Sequence, residues 1–152
     1  MILSLEQQLC DDQDLSQVAG SYYSTNIFDR GAPGTPKYAA AALNIDMGQG
    51  NPIPFDVIVT EAFVGATATV TFSLEMDTTS AFGSATTVMT TAAIPVATLV
   101  VGYDPFQGLW LPLGITEQFL RLKFVIATAT TTAGTVSAYI ASGGRRRNHP
   151  YV

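Results

Sequence analysis

The stretch FLRLKFVIATATTTAGTVSAYIAS, residues 119–142, constrains the fold most, because it reads as two alternating β-strands joined by a Thr/Ala/Gly loop. Leu120, Leu122, Phe124 and Ile126 share one face of the first strand, and Arg121 and Lys123 share the other. In the second, Val136, Ala138 and Ile140 alternate with Thr135, Ser137 and Tyr139. Strands that bury one side only must stack in two layers or close on themselves. Nothing in this stretch is a nucleophile, a base or a metal ligand, so it is scaffold.

The rest of the chain repeats the pattern. FDVIVTEAF places Phe55, Val57, Val59 and Phe63 on one face, with Glu61 on the same side, so the strand leaves the core there or pairs that carboxylate. TATVTFSLEMD alternates most cleanly, with Val70, Phe72, Leu74 and Met76 inward and Thr69, Thr71, Ser73, Glu75 and Asp77 outward on a solvated face. SYYSTNIFD, SATTVMTTA and ATLVVGY are further strand candidates, separated by the loops RGAPGTPK, GQGNPIP and TTSAFGSA. YAAAALNIDM, at 38–47, permits either a short helix or a strand. Strands at this spacing with few helical candidates predict an all-β fold, an antiparallel sandwich of the jelly-roll or Greek-key type. It occupies residues 21–142, between an N-terminal arm at 1–20 and a C-terminal tail at 143–152.

At 152 residues the chain suffices for one such domain. Charged residues are only 12% of it, against roughly 25% in ordinary globular domains, and the mean hydropathy is +0.28. A surface so poor in charge is expected to be covered in part by partners. The net charge of −5 argues against nucleic-acid binding, which needs clustered Lys and Arg, and no basic residue lies between Lys37 and Arg121. No apolar run reaches the ~18 residues of a membrane span, and the acidic MILSLEQQLCDDQD start lacks a signal peptide's basic region, which points to assembly in a cytoplasm. Cys10 is the sole cysteine, so an intrachain disulfide or thiolate cluster is excluded.

Two features suit contact with other molecules. Residues 102–118, GYDPFQGLWLPLGITEQ, carry turn punctuation yet are apolar and aromatic. This loop either caps one end of the sandwich or anchors a partner, with Tyr103, Phe106, Leu109 and Trp110 as candidate interface residues. The second feature is charge at the ends: Arg145, Arg146 and Arg147 in the tail, and Asp11, Asp12 and Asp14 in the arm, able to meet between copies or on a partner.

Catalytic chemistry has little to work with. A cupin-like metal centre needs several converging histidines, and His149 is the only one. The same lack removes Ser-His-Asp and Cys-His nucleophile systems. Asp11, Asp12 and Asp14 lack the glycine and terminal glutamate of a calcium loop. No enzymatic activity, cofactor or metal is expected.

Taken in order, STNIFDRG (24–31), NIDMGQGNPIPFDVIVTEAF (44–63), TVTFSLEMDTTSAFGSA (69–85), IPVATLVVGY (94–103) and FLRLKFVIATATTTAGTVSAYI (119–140) resemble the jelly-roll capsid cement, or head decoration, proteins of tailed bacteriophages. The resemblance covers about two thirds of the chain and is carried by the collinear set, not by one motif. It implies a non-enzymatic virion protein on the outer surface of an icosahedral head, bridging neighbouring major capsid protein subunits. Self-association as a dimer or trimer is expected from the charge-poor surface. The alternative is a carbohydrate-binding jelly-roll module, with Tyr22, Tyr23 or Trp110 stacking on sugar rings.

Overall fold

The computed structural model of the protein describes residues 5–50 and 52–140. Nine strands run through them: β1 (Gln8–Asp14), β2 (Gly20–Tyr23), β3 (Phe28–Asp29), β4 (Phe55–Val64), β5 (Thr69–Asp77), β6 (Thr86–Thr90), β7 (Ile94–Pro95), β8 (Phe119–Ala127) and β9 (Ala133–Ile140). Helical structure among the described residues is confined to two short 3₁₀ turns, Leu5–Gln7 and Val96–Thr98.

All pairings are antiparallel. One sheet has the order β1-β9-β4; the other has the order β2-β8-β5-β6, with β3 also on β8 and β7 also on β5. The fold is therefore all-β, as the alternation requires. The two best-patterned strands, β8 and β9, are not paired with each other. The loop between them passes from one sheet to the other, so each contributes its apolar row to a shared interior from opposite sides.

That interior holds Phe55, Val57, Val59, Val136 and Ala138 from one sheet against Val70, Phe72, Leu74, Leu120, Leu122 and Phe124 from the other, each fully buried. Phe72 and Phe124 meet edge to face at 5.7 Å. Burying a side chain of this size contributes about 1.5–3 kcal/mol, so these alternating rows dominate the stability. The β4 register slips against β9 between Val59 and Glu61 and again between Glu61 and Val64. Two such bulges turn Glu61 out to solvent and return Phe63 to the core, which resolves the carboxylate on the apolar face.

Three expectations are corrected. Residues 1–20 are not simply an arm, since β1 pairs with β9 and Leu9, Cys10 and Leu15 are fully buried. Bulges after Gln8 and Cys10 break its alternation and turn Asp11 and Asp12 outward, which hides the strand in the sequence. ATLVVGY is not a strand: after the two residues of β7 the chain enters a 3₁₀ turn and then a loop. The outer face of β5 is not solvated, because Ser73, Glu75 and Asp77 are all buried. Glu75 lies 2.8 Å from Arg121 and 3.2 Å from Lys123 across the sheet, and Arg121 is stacked between the Tyr23 and Phe82 rings. The undecided segment 38–47 is loop.

Candidate functional site

β4 lies at the edge of its sheet, and the exposed amides and carbonyls of an edge strand need cover. The apolar segment 99–111 supplies it. Phe63 N–H donates to the Leu99 carbonyl at 3.0 Å, Val59 N–H to that of Tyr103 at 3.0 Å, and Phe55 N–H to that of Leu109 at 3.4 Å. Gly102 N–H donates in return to Val59 at 2.7 Å, and Leu111 N–H to Ile53 at 2.9 Å. Lying along a strand divides the segment into two sets. Leu99, Phe106 and Leu111 turn into the core, as Ile115 does just beyond, whereas Val100, Val101, Leu109 and Trp110, with Leu113 beyond, are 50–72% exposed.

A second loop braces the chain just beyond this segment. The Asp46 carboxylate accepts from Gly48 N–H at 2.9 Å, Gly114 N–H at 2.8 Å and Ile115 N–H at 3.0 Å. Those amides, Gly114's foremost, hold its carboxyl below the usual carboxylate range, with the nearby Arg30 charge adding to them. The Arg30 guanidinium donates to the carbonyls of Ile45, at 2.8 Å, and Thr116. Gly48 packs so closely on Pro112 that a β-carbon there would sit 1.9 Å from the Pro112 carbonyl oxygen. Segments far apart in sequence are thereby clamped into one apolar platform.

Beside the platform is a cleft of about 330 Å³ lined by Pro54, Phe55, Asp56, Asp104, Gln107, Gly108, Leu109 and Trp110. Asp56 is only 5% exposed. The Asp104 carboxylate accepts from the N–H groups of Phe106 and Gly108, closing the turn in which Gln107 and Gly108 take positive φ. Among the described residues no three His, Cys, Asp or Glu side chains converge as a metal site would.

The expected interface residues divide accordingly. Leu109 and Trp110 are exposed on the platform. Tyr103 is half-buried against the core. Phe106 is a core residue, 3% exposed with its ring 5.3 Å from that of Phe55, so it braces the platform from within. Asp11, Asp12 and Asp14 lie on β1, the opposite edge of the same sheet, where Ser137 and Ser16 donate to them. They are thus separated from the platform by two strands. Arg145, Arg146 and Arg147 lie outside the described residues. Sequence reasoning missed Val100 and Val101, which it assigned to a strand, and also Arg30, Asp46 and Asp56. The Asp-x-Gly turn at Asp46–Gly48 was the one local signal for the brace.

The family model named Bbp16 matches residues 13–140, which spans both sheets, the brace and the platform. The chain belongs to the Bbp16 family. It is accordingly a phage-associated protein. No curated protein matches it.

Proposed function

We propose that this Bbp16-family protein is a head decoration, or cement, protein that binds the outer surface of an icosahedral phage head and bridges major capsid protein subunits. The observation that carries this reading is the clamped platform. Val100, Val101, Leu109, Trp110 and Leu113 are exposed on the segment that runs along the β4 edge and just beyond it, and exposed apolar surface of this kind is the usual mark of a protein contact surface. Membership of a phage-associated family supports a virion setting. In this role the protein works without catalysis. It opposes the outward force of packaged DNA through many repeated contacts, each modest alone and strong together. Copies of the chain associate as a dimer or trimer in the same reading, hiding further apolar surface.

Co-sedimentation with expanded shells of its own capsid subunits tests this. The protein is expected to pellet with shells and raise their melting temperature, since a ligand of the intact shell must stabilise it. Trp110→Ala, at a half-exposed position, should stay folded and lose about 2 kcal/mol or more of shell affinity. Unchanged shell melting at saturation, without pelleting, would defeat the proposal. The cleft, with one indole and two carboxylates, is the feature a carbohydrate-binding module would use. Shielding of Trp110 by simple sugars, in a protein that ignores shells, would favour that module instead.

A further inference from the structure

One loop stands clear of the sandwich. Residues 34–45 are all exposed, and Tyr38 is 93% exposed. Leu43 N–H donates to the Gly34 carbonyl at 3.0 Å and closes the base, while Ala39 N–H donates to that of Pro36 at 3.0 Å nearer the tip. Arg30 and Asp46 fix the root, through the Ile45 carbonyl and the Gly114 and Ile115 amides. Tyr38 takes a φ of 76°, an unfavourable conformation for a bulky residue, and almost none of its side chain packs on its own domain. Surface loops closed at the base are frequently functional, and tyrosine is among the side chains that dominate protein contacts.

A recess of about 400 Å³, large enough for an aromatic ring, lies at the other end of the long strands. Phe63, Ala68 and Val96 are buried in it, Val64, Pro95 and Ala97 are exposed at its rim, and no lining residue is ionisable. The loop leaves the body beside Phe119, in register with Asp77, whereas the recess lies at Thr69, at the start of the same strand β5. The nine residues of β5 set the two roughly 26 Å apart. A projection at one end and a recess at the other meet between copies, not within one. Charge matches them as well. Among the described residues Lys37 is the one cation with neither a carboxylate nor a carbonyl partner; its Nζ lies 5.0 Å from the Tyr38 ring centre. Glu61, two residues before Phe63 on β4, is exposed and forms no ion pair among the described residues. A ring seated beside Phe63 therefore brings the adjacent Lys37 to Glu61.

We propose that Tyr38 of one copy seats in the recess between Phe63 and Ala97 of a second copy, with Lys37 of the first against Glu61 of the second. The contact repeats reciprocally about a twofold axis or head to tail around a threefold one. It rests on the self-association in the decoration reading and names the surface responsible. Association is measured without shells, so failure of this contact and failure of shell binding are separate results.

Sedimentation equilibrium of the full chain between about 1 and 100 µM should show a mass of two or three copies. Tyr38→Ala should weaken association about thirtyfold with an unchanged circular dichroism spectrum, because the side chain is exposed. Ala97→Trp, which fills the recess from its exposed rim, should do the same. An equimolar mixture of these two variants should associate more tightly than either alone, since each keeps the half that the other lacks. Lys37→Glu or Glu61→Lys alone should weaken association about fivefold, and the two together in one chain should restore it. Association unchanged in both Tyr38→Ala and Ala97→Trp would overturn the proposal and place self-association on another surface. A mixture no tighter than its components would overturn it too. A parent that stays monomeric at about 100 µM would overturn it together with self-association, and loss of shell pelleting by Tyr38→Ala in that case would assign the loop to the shell instead.

Discussion

Replacing Arg121 with Met should destabilise the domain by about 3 kcal/mol, although Arg121 lies outside the apolar interior. Its Nε and Nη2 donate to Glu75 Oε2 at 3.0 and 2.8 Å, and its guanidinium carbon is 3.8 Å from the Tyr23 ring centre and 4.1 Å from that of Phe82. The Glu75 and Arg121 side chains are 5% and 15% exposed, so the group is largely withdrawn from water. Stranding one member of a buried pair costs about 3–5 kcal/mol, and each ring contact contributes about 0.5–1 kcal/mol. Lys123, 3.2 Å from the other Glu75 oxygen, remains in the variant and brings the total toward the lower end. In a chain of 152 residues such a loss lowers the melting temperature by about 6–12 °C. Urea denaturation and thermal melting would measure it. Adding Glu75→Gln should recover part of the loss by removing the stranded charge, giving a coupling of about 0.5–3 kcal/mol in the double-mutant cycle. A single variant within about 0.5 kcal/mol of the parent would mean that this face is ordinary solvated surface and would refute the reasoning.

The Cys10 thiol is pushed up to about 12 by burial, so it should resist thiol reagents near pH 8 and react only on unfolding; immediate stoichiometric labelling of the folded protein would count against this. Gly48→Ala must displace the Pro112 carbonyl and should cost about 1–3 kcal/mol and speed hydrogen exchange at the Gly114 and Ile115 amides, whereas unchanged exchange would mean that the two loops are not clamped. Asp46 and Asp77 are both held below the ordinary carboxylate range, Asp46 chiefly by the Gly114 amide and Asp77 chiefly by that of Thr79. Each therefore stabilises the fold fully above about pH 4, and that contribution is lost as the pH falls through the lower folded values. Acid titration should loosen the platform first, Asp46→Asn should flatten the response, and stability that rises on acidification would contradict the assignment.

The strands that were legible in the sequence, β4, β5, β8 and β9, each place an alternating apolar row in the core, uninterrupted in β5, β8 and β9. β1 was not, because its bulges put two aspartates where a regular strand would alternate. The β-branched run at 99–101 suggested a strand, yet that segment covers the β4 edge without joining a named strand, and no local pattern separates the two outcomes. Glu75 and Asp77 looked solvated because their cover comes from Arg121 and Lys123 on β8 and from the turn after β5, which the spacing along β5 cannot reveal. The apolar loop was visible as a contact candidate. Its inward and outward members were not, since Phe106 and Trp110 differ only in which side of the segment faces β4. The Arg30 and Asp46 braces depend on partners near residue 115, beyond the range of any motif.

The most direct test of the decoration assignment is a particle reconstruction of expanded shells with and without the protein. The account predicts added density on the outer surface, spanning neighbouring capsid subunits, with the β4-edge segment that carries Val100, Val101, Leu109 and Trp110, and Leu113 beyond it, buried in the contact. Bare shells at saturating protein, or bound copies whose platform faces solvent, would contradict it.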